Sequence, residues 1–285
     1  AHGESLVERA RPLPLIVAEV DIARTHGQAV GLADGGGDFD VQAEMGTTVH
    51  GGSLKATKDL VQLCHINGES YILDVGCGVG ITACYLAKEY GCKVLAIDIS
   101  ERMIDRAKER AKRKGVEDKI EFRLGDAQNL PFNDDLFDVV ISESVTAFVA
   151  DKQKAVNEYV RVTKQDGHIG LNEVTWLEAH PPEELVGGIS RIRIKPETAE
   201  YWKELLVNSE LRDVGAVVER TRPITLVGQL KRLGFWESVR VVYQSLSMFA
   251  RLPKYRRAIK KFRSERRSRP ENQKNMQGHV GYGIY

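Results

Sequence analysis

The run Tyr71-Ile72-Leu73-Asp74-Val75-Gly76-Cys77-Gly78-Val79-Gly80 limits the fold of this chain more than any other feature. Tyr71 to Val75 has the apolar, β-branched content of a buried parallel strand, and helix formers follow from Ile81 to Tyr90. The glycines therefore stand where the carboxyl end of a strand meets a helix start. Positive φ angles and close backbone approach to a ligand exclude a Cβ at such a turn. Open α/β sheets bind their ligands at that end of the strands. A dinucleotide fingerprint reads G-x-G-x-x-G, whereas this spacing is G-x-G-x-G with an acid, Asp74, two residues ahead.

Further strand ends repeat the theme. Lys93 to Ser100 holds a second strand ending in an acid, Asp98, suited to grip two ribose hydroxyls. Lys119 to Leu124 is a third, followed by Gly125-Asp126-Ala127, and Phe137 to Ser142 is a fourth. Taken in this order, the motifs resemble those of the class I S-adenosylmethionine (SAM) methyltransferases, type 11 or small-molecule branch. Arg161-Val162-Thr163-Lys164-Gln165-Asp166-Gly167 is similar to that family's R-V-L-K-P-G-G turn, with Thr163, Gln165 and Asp166 as departures. Aspartate is compatible with a turn, so the fold expectation stands. The resemblance implies SAM as cofactor and S-adenosylhomocysteine as product. It assigns to them Asp74, Gly76, Cys77, Gly78, Gly80, Asp98, Ile99, Met103, Asp126, Ala127 and Ser142, with Asp126 and the next amide at the adenine edge. A nicotinamide dehydrogenase is the competing reading, but it leaves Asp74 and Gly125-Asp126-Ala127 unexplained.

The implied fold is α/β: a Rossmann-like seven-stranded, mostly parallel sheet with helices on both faces and helical lid insertions. Residues 1–37 are expected to be an arm, mobile or partly foreign to the native chain, and residues 38–224 the methyltransferase core. In that core the segment from Ser53 to His65 is a helix with Leu54, Leu60, Val61 and Cys64 as its buried stripe. Strand-like segments at Asp213–Glu219 and Gly281–Tyr285 would close the sheet as an antiparallel pair, the last strand lying within 279–285. Between them, residues 225–278 form an expected lid, in which Val239, Val242, Leu246 and Phe249 recur at helical spacing before Pro253. A second insert, from Thr175 to Lys195, follows Glu173 and precedes a helix started by Pro196. A homodimer interface is the alternative for both inserts.

Charge is distributed unevenly. Arg251 to Lys274 holds eleven Lys and Arg against Glu265 and Glu271, so a local net of +9 within a total of +1 leaves −8 elsewhere. A solvated helix face explains such a block; so does contact with an anionic membrane surface or substrate headgroup. Nucleic acid is not favoured, because the stretch lacks aromatic interleaving beyond Tyr255 and Phe262 and holds no recognised module. Hydrophobic content of 42% is that of a globular protein. No run reaches the eighteen or so apolar residues of a membrane span. Leu13 to Val20 does not read as a secretory signal, and the cysteines at 64, 77, 84 and 92 lack metal-ligand spacing, so they are expected reduced and buried. A cytoplasmic location, peripheral to membrane where the basic block engages, is the expectation.

For the acceptor, Ile141-Ser142-Glu143-Ser144-Val145-Thr146-Ala147-Phe148 resembles the I-E-A-T and E-S-T segments of sterol and prenyl-diphosphate C-methyltransferases. Asn172-Glu173-Val174-Thr175-Trp176 is similar to the sterol enzymes' Y-E-W stretch after the fifth strand, and Val49-His50-Gly51-Gly52 to the H-x-G of tocopherol methyltransferases. Methylating an alkene leaves a carbocation, which needs a carboxylate and aromatic faces. Glu143, Glu173 and His50 are thus the candidate catalytic residues, with Phe148, Trp176, Trp202 and Trp236 as faces. Against these stand plainer readings: Glu143 on the methionine moiety, Glu173 as a cap, His50 as a positioning residue and Trp202 as core. The expected acceptor is a small, hydrophobic, isoprenoid-like or lipid-like molecule methylated at carbon. The alternatives are O- or N-methylation of an aromatic or amine metabolite, and a noncatalytic SAM-binding protein.

Overall fold

The computed structural model describes residues 53–183, 185–186, 195–220 and 279–285. His50, Trp236, the arm, the 239–249 stripe and the basic block 251–274 lie outside the described residues. Eight strands are described: β1 Tyr71–Val75, β2 Lys93–Asp98, β3 Ile120–Leu124, β4 Phe137–Glu143, β5 Thr163–Trp176, β6 Glu197–Thr198, β7 Val217–Arg220 and β8 Val280–Ile284. The sheet order is β3-β2-β1-β4-β5-β8-β7, with β6 paired to β5 off this path. β8 is antiparallel to both β5 and β7, and the other pairings are parallel. This is the expected seven-stranded arrangement plus one two-residue strand. The sixth expected strand begins at Val217 instead of Asp213.

Helices α1 Ser53–Leu63, α2 Ile81–Glu89, α3 Glu101–Lys114, α4 Lys152–Val162 and α5 Ala199–Val207 cover the sheet. Two apolar clusters lie on its two faces. One joins Leu60 and Cys64 of the α1 segment, Leu86 of α2 and Ala111 of α3 to Ile72, Ile141 and Tyr282. The other joins Val156 and Tyr159 of α4 and Trp202 of α5 to Leu73, Val75, Val140, Leu171 and Tyr285. Ile72 and Leu73 thus part to opposite faces, as the two-residue period of a strand requires. Each start is capped where the sequence allows: Ser100 Oγ accepts from Met103 N at 3.4 Å, Asp151 from Lys154 N at 2.9 Å and Thr198 from Tyr201 N at 3.2 Å. α3 stops at Gly115, whose φ of 66° is the left-handed stop of a helix.

Several expectations are corrected. Leu54 does not belong to the buried stripe of α1: it is 46% exposed, and Ala56 and Leu60 carry that face with Val61 and Cys64. α5 starts at Ala199 behind its Thr198 cap, three residues beyond Pro196. β5 runs through Trp176, so Glu173 lies within the strand and the second insert begins later than Thr175. The turn expected at Arg161–Gly167 is present as a register jump, since Phe137 pairs with Thr163 and Val139 with His168. All four cysteines are buried free thiols. Among the described residues no helix is long and apolar enough to cross a membrane, and no His/Cys/Asp/Glu group could hold a metal ion.

Candidate functional site

The glycine turn is shaped by backbone geometry. Gly76, Gly78 and Gly80 have φ of 72°, 53° and 73°, a region in which a side chain costs roughly 1 kcal/mol or more. Both Gly76 N and Cys77 N donate to Ile97 O at 2.8 Å, tying the turn to the end of β2. A Cβ on Gly76 would overlap Val145, whose Cγ1 lies 2.8 Å from that position. One on Gly80 would lie 2.9 Å from Ala107 Cβ of α3. Close packing, as well as φ, thus demands glycine.

Three carboxylates surround this turn. Asp98 accepts from Gly78 N and from Ser100 N, both at 2.9 Å. Burial raises its pKa, and those amides oppose the shift. Glu143 accepts from Thr57 Oγ1 of α1 (3.0 and 3.2 Å), Thr82 Oγ1 of α2 (2.7 Å) and Asn172 Nδ2 of β5 (3.3 Å). Asp74 is buried; it accepts from the Ala83 amide, while its Oδ2 has no hydrogen-bond partner. Burial raises the Asp74 pKa well above the usual carboxylate range, and the Glu143 and Asp98 charges add to this. An unanswered buried oxygen beside two further acids is an unusual arrangement without a ligand. A ligand with a cationic end and a ribose diol fits these groups. SAM carries both, so Asp74 would face its positive end and Asp98 its ribose.

Around the expected adenine, Ile99 and Leu124 are 69% and 53% exposed, and Met103 is buried with Val79 beside Ile81. Asp126 accepts from Gln128 N at 2.9 Å, and Ala127 is buried. Ser142 is fully buried with its Oγ 3.3 Å from Thr146 Oγ1. Cys77 is buried and its pKa raised by that burial, which suits a packing thiol. Trp202 is fully buried in the α4–α5 core, whereas Trp176 packs with Ala147, Leu185 and Val280, with Phe148 and Val174 against them.

The acids expected to serve one carbocation do not share a face. Val139 and Ile141 enter the α1–α3 cluster, so Glu143, two positions on, points to that side with Thr57 and Thr82. Leu171 enters the opposite cluster, and Glu173 follows it to the α4 side. There Glu173 is fully buried; it accepts from Val145 N (3.1 Å), Thr146 N (2.7 Å) and Ala147 N (3.2 Å). Thr57, Thr82 and Asn172 were not anticipated from the sequence. Their one signal was that polar residues occupy helix and strand positions facing the core.

The acids around the turn predict a trade of stability against binding. The folded pKa of Asp74 is raised above 3.8, so its contribution to stability is present at low pH and lost as pH rises through the folded value. Asp74→Asn is therefore expected to raise the thermal midpoint of the ligand-free chain at neutral pH while weakening S-adenosylhomocysteine binding. A lower midpoint together with tighter binding would contradict the assignment.

Comparison with known proteins agrees with this geometry. The family model described as "Methyltransferase domain" matches residues 73–171. An uncharacterized protein of Haemophilus influenzae is 26% identical over 221 residues, which cover 76% of this chain and 87% of that protein. Norajmaline N-methyltransferase of Rauvolfia serpentina is 33% identical over 140 residues, 49% of this chain and 45% of the relative. This chain thus spans less than half the length of that enzyme. A solved geranyl diphosphate methyltransferase, in complex with GPP and sinefungin, shares the fold at a TM-score of 0.57 and 16% identity, over 81% of this chain and 76% of that one. Residues 73–171, with the acid-ringed glycine turn at their start, match the methyltransferase domain, and the motif order and sheet resemble those of the class I SAM-dependent methyltransferases.

Proposed function

We propose that this chain transfers a methyl group from SAM to a carbon of a small hydrophobic acceptor, isoprenoid-like or lipid-like. When bound, SAM supplies an electrophilic methyl on a sulfonium; the chain's own residues bind, orient and exclude water, which accounts for most catalysis by positioning. The supporting observation is Glu143. Its carboxylate is oriented by two threonines and an asparagine at the carboxyl end of β4, as stabilising or deprotonating a cation requires. The 146–148 turn that follows carries Ala147 and Phe148 into a buried apolar cluster with Trp176. The basic stretch 251–274 enters the proposal as the meeting point with an anionic headgroup or membrane surface.

N-methylation of an amine is the second reading, favoured by the sequence match to norajmaline N-methyltransferase. Incubating the purified chain with methyl-labelled SAM and a lipid and metabolite extract separates the two. Label in an organic-phase product with a new C–CH3 group is the expected result. Label in an amine product would overturn carbon methylation, and the absence of both label transfer and SAM binding would overturn methyl transfer itself.

A further inference from the structure

We infer that Glu173 is a positioning residue: it clamps the turn after β4, and through Val145 that turn sets the shape of the glycine turn that receives the cofactor. The inference rests on the methyltransferase reading above and assigns Glu173 a role other than acid or base.

The geometry begins at Ser144. Its φ of 57° is in the left-handed region, a strained choice for a residue with a side chain that persists only where the surroundings over-determine it. β5 supplies that determination. Asn172 O accepts from Ser144 N at 2.7 Å, and the Glu173 carboxylate accepts from the next three amides in succession. It also accepts from the Thr146 hydroxyl. A carboxylate has about four lone-pair sites, and these four donors engage them from within the chain. Thr146 Oγ1 lies 3.3 Å from Ser142 Oγ and 3.4 Å from Tyr159 Oη, which extends the buried network into α4.

The clamped turn faces two ways. Val145 packs so closely on Gly76 that no Cβ fits there. Ala147 joins Trp176, Leu185 and Val280 in the apolar cluster, and its carbonyl accepts from Lys195 N at 3.1 Å. One carboxylate thus holds, in a single rigid piece, a wall of the glycine turn and a wall of the apolar cluster.

This arrangement has a signature in pH. Burial pushes the Glu173 pKa up to about 7, opposed by its amide donors. The ionisable groups that bear on it are Tyr159 of α4 and Tyr285 after β8, both neutral at that pH because burial raises them further. Glu143 is one register step away on β4, pointing to the other face. Ionised Glu173 grips the amides more strongly, so cofactor affinity should rise as pH passes upward through about 7. Folding stability should move the other way: the folded pKa exceeds the usual 4.5, so the stabilising contribution is present below that value and lost as pH rises through about 7.

Titration calorimetry of the full chain with S-adenosylhomocysteine, between about pH 6 and 8, tests this. Wild type should bind more tightly with rising pH. Glu173→Gln should bind more weakly by roughly 10-fold or more, the lower end for losing hydrogen bonds to a charged group, with a shallower pH slope than wild type and a larger rise in KM for SAM than fall in kcat. Val145→Ala retains Glu173 and should lose most of the pH slope, which keeps the test available if Glu173→Gln does not fold. Unchanged affinity in Glu173→Gln with turnover lost would make Glu173 catalytic and overturn the inference, as would a wild-type profile without slope. Failure of wild type to bind S-adenosylhomocysteine at any pH would instead overturn the methyltransferase reading beneath it.

Discussion

Replacing Glu143 by Gln is expected to lower turnover by roughly 10²-fold or more, the range for a positioned acid or base, with S-adenosylhomocysteine affinity close to wild type. The substitution preserves size and removes charge. Thr57 and Thr82 can still donate to the amide oxygen, so the site should keep its shape. Single-turnover rates and calorimetry on one preparation give both quantities. Glu143 also raises the pKa of Asp74 by its charge, which places the two acids near one another at the glycine turn. Should affinity and turnover fall in parallel, Glu143 belongs to the methionine moiety and carbon methylation loses its main support.

Gly76→Ala should damage cofactor binding and stability together. Its φ of 72° strains any side chain, and the new Cβ would meet the Val145 methyls. Strain of this kind costs about 1–3 kcal/mol, or roughly 5- to 150-fold if it all falls on the bound state. Val145→Ala in the same chain removes the overlap but leaves the φ strain. The double variant should therefore lose less affinity than the sum of the single losses, the non-additivity expected of residues in contact. Strict additivity would show that Val145 does not press on the turn.

The glycine turn and the acids around it were legible along the chain because each part is local. A glycine turn needs only successive φ angles, and Asp74, Asp98 and Asp126 each sit at or just beyond a strand end marked by its own apolar run. Boundaries were less legible. β5 extends through Trp176 because Asn172 to Trp176 find partners in β8, more than a hundred residues away in sequence. Leu54 could not be told from a core residue by spacing alone, since which arc of α1 is buried depends on how the helix lies across the sheet.

What the sequence determined by itself was the fold class, the order of the strand-end motifs and the need for glycine at the turn. Composition and spacing could also nominate acids near the acceptor. Only the tertiary structure decided what those acids do. β4 and β5 pair with Glu143 opposite Asn172, and the two-residue period of a strand then sends Glu143 and Glu173 to opposite faces. One meets hydroxyls of α1 and α2 beside the glycine turn, and the other the backbone amides of residues 145–147. Had the pairing slipped by one residue, Asn172 and Glu173 would have exchanged faces, a difference set by register between strands rather than by any local run of residues.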